Sequence, residues 1–358
     1  MPGVCDARLS ENSYGTYWYA RLRLKGERIA AVQLGIYLDL RNPPLWRRDW
    51  AQVYGFGLDL CQEAERLGAD SVWLSEHHLF DDGYLPQPLT FAAAVAARTH
   101  RVRIGTAVLI APFRQSIDIA ENAAIVDVIS RGRLELGLGA GYRIPEFESY
   151  ESDFKTRYAA TDDRVRDLRE IWNARRVLPH PIQDPVPIWL GYTGPRGARR
   201  AGLLGEGLLS ISPELYEPYR QGLVDGGHHP NSARMAGVVN AFVTDDPERD
   251  WPLVAKHHSY QWDSYRAHMV EGTTHPAPRP IDPEKSRSAG IAGGLGSLVY
   301  GTPEHVATTI LQHTAGLPVR TVFIWASLGG MDEATTLRHV QTLCSRLAPL
   351  LGSAPQRS

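Results

Sequence analysis

From about residue 30 to the end of the chain, short apolar segments alternate with longer amphipathic ones. The short segments predict strands that are covered on both faces, and they span 31–38, 71–74, 102–110, 134–138, 187–190, 207–211, 236–243 and 321–325. The amphipathic segments predict helices, and they span 54–67, 88–98, 116–130, 157–174, 196–204, 213–225, 247–269, 303–315 and 332–350. Eight strands that alternate with helices predict an α/β fold, a (β/α)8 TIM barrel, with a doubly wound open sheet as the alternative.

Two segments depart from this alternation. Residues 1–29 are polar and irregular and lack the apolar core of a signal peptide, so we expect an N-terminal extension before a single barrel over 30–351. Residues 271–297 are rich in glycine and proline and precede the last unit. A loop of this length inside a compact domain is usually functional or disordered. We expect either a lid over the carboxyl ends of the strands or a disordered surface insertion.

Composition and charge exclude several classes of partner. The 38 basic and 40 acidic residues nearly cancel, so nothing indicates binding to nucleic acid or to an acidic membrane surface. No apolar run approaches the roughly 18 residues that span a membrane. The three cysteines, Cys5, Cys61 and Cys344, have no metal or redox spacing, and Cys61 lies on the apolar face of a predicted helix. We therefore expect reduced thiols and a cytoplasmic protein.

The second predicted strand ends in Glu76, His77 and His78. In parallel barrels the carboxyl ends of the strands carry the catalytic groups. A histidine at this edge can transfer protons near neutral pH, because its ordinary pKa is about 6.5. The motif therefore predicts catalytic histidines, and a surface loop that happens to carry two imidazoles is the alternative.

Glycine-rich segments follow two further strands. The first contains Gly137, Gly139 and Gly141, where the backbone could approach a ligand closely or simply form a tight turn. It is not a dinucleotide fingerprint, because Pro145 follows and no helix is predicted at its third glycine. The second opens the helix after the fifth strand and contains Thr193, Gly194 and Gly197. Free amide groups at a helix start favour a phosphate site over a simple loop.

The helix that begins near Thr193 has arginines in its first turns, at positions 196, 199 and 200. Basic residues there oppose the helix dipole, which favours acidic side chains at a helix start. A bound anion would offset this unfavourable arrangement, which strengthens the prediction of a phosphate site.

Metal and nucleophilic chemistry are not indicated by any motif. The histidine pairs at 228–229 and 257–258 lack the i, i+4 spacing with a nearby carboxylate that zinc hydrolases use. The chain contains no Gly-x-Ser-x-Gly elbow. We therefore expect no metal, and a hydrolase or aldolase barrel remains only a possibility of the fold.

Taken together, these motifs resemble the bacterial luciferase-like monooxygenases, a superfamily of flavin- or deazaflavin-dependent TIM-barrel enzymes. The resemblance runs from about residue 30 to residue 350 and is strongest at 68–78, 102–112 and 129–137. It implies that His77 is the catalytic base or acid near the reactive face of the flavin. It also implies that His78 supports His77 or contacts the substrate.

The resemblance implies a cofactor site made of Thr106, Ala107, Val108, Gly139, Tyr142, Thr193, Gly194 and Gly197. Ala107-Val108 matches a non-proline cis peptide under the flavin ring, and the small side chains before it would leave room for that ring. Thr193, Gly194 and Gly197 would hold the phosphate. The luciferase catalytic subunit has an arginine after the fourth strand where this chain has Ala140, so the phosphate contact is missing unless Arg143 or Arg196 replaces it.

The expected function is that of a flavin-dependent monooxygenase. It would use O2 and reduced FMN from a separate flavin reductase to oxidise a small hydrophobic organic substrate, and a homodimer is the habit of the family. An F420-dependent oxidoreductase that transfers a hydride is the alternative. F420-dependent members often carry Asp-His where this chain has Glu76-His77-His78, which favours FMN. A non-catalytic flavin-binding protein is less well supported, because the chain keeps eight units and His77.

Overall fold

The computed structural model describes residues 31–288, 290, 291 and 296–352. The predicted N-terminal extension lies outside these residues, and the predicted lid segment is described only in part. No helix in the described part of the chain is long and apolar enough to cross a membrane.

The predicted TIM barrel is confirmed. Its parallel strands are β1 (Gln33–Leu38), β2 (Ser71–Leu74), β3 (Arg103–Thr106), β4 (Leu109–Ile110), β5 (Leu134–Gly139), β6 (Ile188–Leu190), β7 (Gly207–Leu209), β8 (Met235–Val239) and β11 (Val319–Trp325). Their order in the sheet is β3-β2-β1-β11-β8-β7-β6-β5-β4. Pairing of β3 with β5 closes the barrel, so the alternative of an open sheet is wrong. A separate pair of strands consists of β9 (Ala241–Val243) and β10 (Val299–Gly301).

Helices follow the strands as predicted, with ends that differ by a few residues. They are α1 (Trp50–Arg66), α2 (Pro88–Arg98), α3 (Ser116–Ser130), α4 (Ile144–Ser149), α5 (Arg157–Asn173), α6 (Gly194–Leu203), α7 (Tyr216–Asp225), α8 (Pro247–Val270), α9 (Pro283–Ser288), α10 (Pro303–His313) and α11 (Glu333–Thr342). Two of these helices begin after a residue whose side chain caps the helix. Asp246 accepts a hydrogen bond from the Arg249 amide at the start of α8, and Thr302 accepts one from the His305 amide at the start of α10.

Two predicted strands are divided in the structure, and the last predicted helix, 332–350, is interrupted by a π-helical segment at Leu343–Leu347. The third predicted strand is interrupted between β3 and β4, at the Ala107–Val108 peptide bond, which is cis. The seventh divides into β8, inside the barrel, and β9, which leaves it to pair with β10. The segment 271–297, interpreted as a loop, contains the short helix α9. Helix α4 was not predicted at all.

Large aromatic side chains fill the interior of the barrel. Trp73 stacks on Phe323 with ring centroids 4.7 Å apart, and Trp189 lies edge-on to Trp73 at 6.3 Å. A Cβ atom on Gly105 would overlap the Trp73 ring, so the neighbouring strand carries a glycine to make room for the indole. Cys61 and Cys344 are buried free thiols, and Cys5 lies outside the described residues.

Candidate active site

The Glu76-His77-His78 segment lies at the carboxyl end of β2 and is buried. The exposed fractions of these residues are 3%, 6% and 7%. The loop that follows folds back, because the His77 amide donates to the Leu85 carbonyl and the Leu85 amide donates to Asp39. The two imidazoles are therefore enclosed, which contradicts the alternative of a surface loop.

His77 sits between a carboxylate and a phenol. Its Nδ1 atom lies 3.0 Å from Oε1 of Glu146, and its Nε2 atom lies 2.9 Å from the Tyr142 hydroxyl. Burial lowers the pKa of His77 below its usual 6.5, although the hydrogen bond and charge of Glu146 act in the opposite direction. At neutral pH His77 is therefore uncharged. We assign the Nδ1–H tautomer, because a carboxylate can only accept, and this leaves the lone pair of Nε2 facing Tyr142.

Glu146 is an ionised carboxylate in a buried position. Burial raises the pKa of Glu146, but hydrogen bonds from His77 and from the His78 amide, together with positive charge at His77 and Arg143, outweigh burial and hold the pKa below its usual 4.5. Because His77 is uncharged at neutral pH, we attribute the lowered pKa of Glu146 to the hydrogen bond from His77 at 3.0 Å, the His78 amide at 2.9 Å and the positive charge of Arg143 at 3.1 Å.

Sequence reasoning missed Glu146, because the segment around it was interpreted as a loop. Helix α4 places the residue in its first turn, three positions after Arg143. The signal was present in the sequence: Pro145 in the first turn followed by an acidic residue is typical of a helix start.

Arg143 connects this cluster to helix α8. Its side chain is 1% exposed, and Nε donates to the His268 carbonyl at 3.1 Å. The other two nitrogens bind Glu146, the His78 carbonyl and Glu271, the first residue after α8. Every guanidinium nitrogen is engaged on the histidine side of the site, so Arg143 does not supply the missing phosphate contact.

His78 is held by a second carboxylate. Its Nε2 atom lies 2.7 Å from Oε1 of Glu76, and its Nδ1 atom lies 3.2 Å from the Tyr150 hydroxyl. Glu76 also accepts from Arg114 and from the Ile110 amide, each at 2.8 Å. His78 is thus fixed beside His77 by a hydrogen-bonded cluster around Glu76 that also holds Ile110, the last residue of β4.

Behind the loop lies an ion pair that the sequence did not reveal. Arg41 and Asp82 are both buried, with Nε and Oδ2 2.5 Å apart. The Arg41 guanidinium lies over the rings of Phe80 and Tyr84, 5.6 and 5.4 Å from their centroids. These contacts fix two of the aromatic side chains that surround His77.

The predicted cofactor residues Thr106, Ala107 and Val108 lie at the end of β3 and directly after it. Ala107 and Val108 are half-buried at the barrel edge, and the Ala107 carbonyl accepts from the Tyr37 hydroxyl. The Thr106 hydroxyl donates to the Gly137 carbonyl at 2.7 Å and accepts from the Gly137 amide at 2.9 Å. Its polar atoms therefore bridge β3 and β5, which leaves only its backbone for a ligand.

Two glycines at the ends of β5 and β6 accommodate the Val108 side chain. A Cβ atom on Gly139 or on Gly191 would overlap it. The isopropyl group is thus wedged between these strand ends, which fixes the backbone of Ala107 and Val108.

The predicted phosphate segment forms the start of α6. Thr193 and Gly194 are exposed, no side chain caps the helix, and the space next to Gly194, whose φ is +69°, is open. Gly197, in contrast, is buried against Tyr192, which is a packing reason for a glycine there.

The arginines of α6 are already partly balanced. Arg199 pairs with Asp225 and Arg200 pairs with Asp162, each at 2.5 Å. The argument that all three require a bound anion is therefore wrong for two of them. Arg196 is exposed and has no acidic partner within the described ranges.

A cavity of about 520 Å³ adjoins both histidines. Its walls are mostly aromatic or apolar, and its lining residues are Trp50, Tyr54, His77, His78, Leu79, Phe80, Gly83, Tyr84, Pro86 and Tyr150. None of these residues is Arg, Lys, Asp or Glu. None of the predicted cofactor residues lines this cavity. Among the residues that the structure describes, no group of three or more potential metal ligands is found.

Sequence comparison relates the chain to flavin- and F420-dependent enzymes. Residues 36–320 match the family model of luciferase-like monooxygenases. The chain is 34% identical over 267 residues to the F420-dependent glucose-6-phosphate dehydrogenase of Amycolatopsis mediterranei, across 69% of this chain and 77% of that enzyme. It is 32% identical over 162 residues to the oxygenase component of the flavin-dependent trigonelline monooxygenase of Acinetobacter baylyi, across 40% and 44%.

Solved structures have the same barrel. The monooxygenase RslO1 from Streptomyces bottropensis superposes with a TM-score of 0.69 at 23% identity, across 89% of this chain and 99% of that one. An F420-dependent secondary alcohol dehydrogenase superposes with a TM-score of 0.64 at 17% identity, across 88% and 99%. At these identities the similarity establishes the fold.

Proposed function

The chain belongs to the luciferase-like monooxygenase family, and within that family we propose that it uses reduced FMN and O2 to oxidise an uncharged, largely apolar organic substrate. The observation that carries the proposal is the cavity beside His77, whose aromatic lining includes no charged carboxylate, ammonium or guanidinium group. A sugar phosphate would require cationic groups in such a cavity, because an unpaired phosphate is strongly disfavoured away from water.

The residues at the carboxyl edge of the barrel fit a flavin in two places. Ala107 and Val108 are half-buried and offer backbone to a flat ring, with the Val108 side chain turned into the wall. At α6, uncapped amides and open space beside Gly194 suit a phosphate. We assign the cationic phosphate contact to Arg196, which is exposed in the same turn.

The protein's own groups would manage one proton and exclude water. When bound, reduced flavin would supply the two electrons with which one atom of dioxygen is reduced to water while the other is transferred to the substrate. His77 accepts or returns a proton at Nε2, and Glu146 stabilises the imidazolium that results. The rings of Phe80, Tyr84 and Tyr265 pack around the imidazole with centroids within 5.5 Å. They keep water from the reacting centre.

F420-dependent hydride transfer is the second candidate, and it is supported by the 34% identity to an F420-dependent dehydrogenase. His77 could serve as acid or base in either reaction. What favours FMN is the Glu76-His77-His78 sequence together with the apolar cavity.

Oxygen consumption separates the two candidates. We expect oxygen uptake when the protein is mixed with reduced FMN and an apolar substrate, and a loss of about 100-fold or more in His77→Ala with little change in FMN affinity. Tight binding of reduced F420 under argon, without oxygen uptake with FMN, would assign hydride transfer instead. Flavin binding without any turnover would support the non-catalytic alternative.

We propose two partners, a flavin reductase that supplies reduced FMN and a second copy of the chain. The homodimer is supported by α3, which exposes Ile117, Ile125 and Ile129 on one face, each by 43–45%. Sedimentation of the wild type and of Ile125→Glu tests the dimer. A wild-type monomer would contradict it.

A further inference from the structure

A second cavity lies at the opposite end of the barrel, among the amino ends of the strands. Its volume is about 300 Å³, at the lower end of the range for small-molecule sites. It is more enclosed than the cavity beside His77 and shares no lining residue with it. It is therefore a separate feature of the molecule, which neither the histidines nor the proposed flavin site explains.

Positive charge exceeds negative charge around this cavity. Arg103, Arg234 and Arg320 line it, whereas Glu135 is its one acidic lining residue. Glu135 pairs with Arg103, whose guanidinium also donates to Gln183. The charge of Arg103 is therefore balanced inside the protein.

The other two arginines are less well balanced. Arg234 lies 3.0 Å from Glu206, but the same carboxylate also binds Arg169 at 2.6 Å. Arg320 is exposed and forms no ion pair within the described part of the chain. About two positive charges are thus left over at the mouth of an open space.

The floor of the cavity is apolar. It is formed by Trp73 and Trp189, whose indole N–H groups are already committed to Ser71 at 2.9 Å and to Glu135 at 2.5 Å. The Arg234 guanidinium lies 5.5 Å from the centroid of the Trp189 ring. A ligand here would meet the two indole rings below, which lie edge to face, and guanidinium groups at the rim.

We propose that this cavity binds a small organic dianion, a phosphate monoester or a dicarboxylate, with its oxygens on Arg234 and Arg320 and its apolar part against the two tryptophans. Guanidinium groups recognise such oxygens through paired hydrogen bonds. The amino face of a TIM barrel ordinarily serves stability. In a purely structural network of ion pairs, each arginine would have its own carboxylate and side chains would fill the cavity. Here about two positive charges are unbalanced and the cavity remains open.

Calorimetric titration of the full chain with phenyl phosphate and with phthalate tests the proposal, with phenol as the uncharged control. We expect saturable binding of at least one anion and none of phenol. Arg320→Gln and Arg234→Gln should each raise the dissociation constant about tenfold or more. Arg166→Gln, which neutralises an exposed arginine on α5, should leave the constant unchanged. Comparison of the two anions distinguishes a phosphate from a dicarboxylate ligand.

The proposal is overturned if neither anion binds, or if binding persists in both cavity variants. It is also overturned if the anion competes with FMN and its affinity follows Gly194→Ala instead of Arg320→Gln, because the anion would then occupy the flavin-phosphate site. Should Arg234→Gln fail to fold, Arg320→Gln decides alone, since Arg320 is exposed and its loss removes no ion pair seen in the described residues.

Discussion

Glu146 binds Nδ1 of His77 at 3.0 Å, although the two residues lie 69 positions apart and on different strand–helix units. The same Oε1 atom accepts from the His78 amide and from Arg143. One carboxylate oxygen therefore fixes the tautomer of the proposed catalytic histidine and the backbone of its neighbour. This places Nε2, on the far side of the ring, as the atom that exchanges a proton.

Glu146→Gln keeps an amide oxygen near Nδ1 but removes the negative charge. The charge raises the pKa of His77, so its loss lowers that pKa further. Because the neutral imidazole is the base, activity falls as pH drops through the pKa of His77, which lies below 6.5 in the wild type. We expect the acid limb of kcat/KM to move to lower pH and the maximum rate to fall about 10- to 100-fold, because the imidazolium loses its counter-charge.

A pH–rate profile of both proteins from pH 4.5 to 8 measures this shift. Glu63→Gln, which removes a surface carboxylate paired with Arg66, is the matched control and should follow the wild type. An acid limb that moves upward in Glu146→Gln would show that another group controls the rate.

The sequence predicted the parts of the site that sit at strand ends. His77 and His78 follow directly from an apolar strand, because the strand ends of a parallel barrel meet at one edge. The Ala107–Val108 bond was predicted from the resemblance to the luciferase-like family. Glu146 escaped prediction because α4 has only six residues, too few for a recognisable period. The Arg41–Asp82 pair escaped because its partners lie in loops, and no local pattern marks which polar loop residue becomes buried.

The absence of a local sequence pattern also explains why the division of the seventh predicted strand was not predicted. The run 236–243 is apolar except for Asn240, and a single polar residue does not show that β8 stays in the barrel while β9 pairs with β10. That division depends on residues near 299–301, about sixty positions later, and not on local propensity.

Glu271→Gln should loosen the start of the segment 271–297, which the sequence predicts to be either a lid or a surface insertion. Glu271 is the partner through which buried Arg143 holds the chain just after α8. Losing the pair leaves Arg143 bound to Glu146 but frees the following segment. We expect faster proteolytic cleavage between 272 and 282, and more oxygen consumed per product formed. Limited proteolysis measures the first effect without turnover, with Glu63→Gln again as the control. Equal cleavage rates in Glu271→Gln and the wild type would show that the Arg143–Glu271 pair does not hold this segment.

Gly139→Ala and Gly194→Ala should weaken flavin binding for different reasons. At Gly139 the new Cβ overlaps Val108 and displaces the backbone that we assign to the ring. At Gly194 the Cβ meets open space, but φ is +69°, which is disfavoured for alanine by about 1–2 kcal/mol. Fluorescence titration should show that riboflavin, which lacks the phosphate, is weakened only by Gly139→Ala, whereas FMN is weakened by both. Gly227→Ala, another glycine with positive φ and open space, controls for strain alone.

Stability should fall in acid because buried histidines must remain neutral. The Nε2 atom of His339 accepts from the Val243 amide at 3.2 Å, its Nδ1 donates to the Ala326 carbonyl, and the ring stacks on Phe242. Burial lowers the pKa of His339 to about 4, and the hydrogen bond to Ala326 opposes this only in part. Between pH 6.5 and pH 4 the unfolded chain therefore binds a proton that the folded chain does not, and stability falls by about 3 kcal/mol over that window.

Urea unfolding of the wild type and of His339→Phe at several pH values between 7.5 and 4 tests this. The variant is less stable at pH 7.5, since the Val243 amide loses its acceptor, but its decline towards pH 4 should be about 3 kcal/mol smaller. Asp39 acts in the opposite direction, because burial raises its pKa to about 6 and its contribution is lost as pH rises from 3.8 through 6. That effect is common to both proteins and cancels in the difference between their slopes. His275→Gln, at an exposed position, should keep the wild-type slope, and an unchanged slope in His339→Phe would mean that His339 is not what makes the fold sensitive to acid.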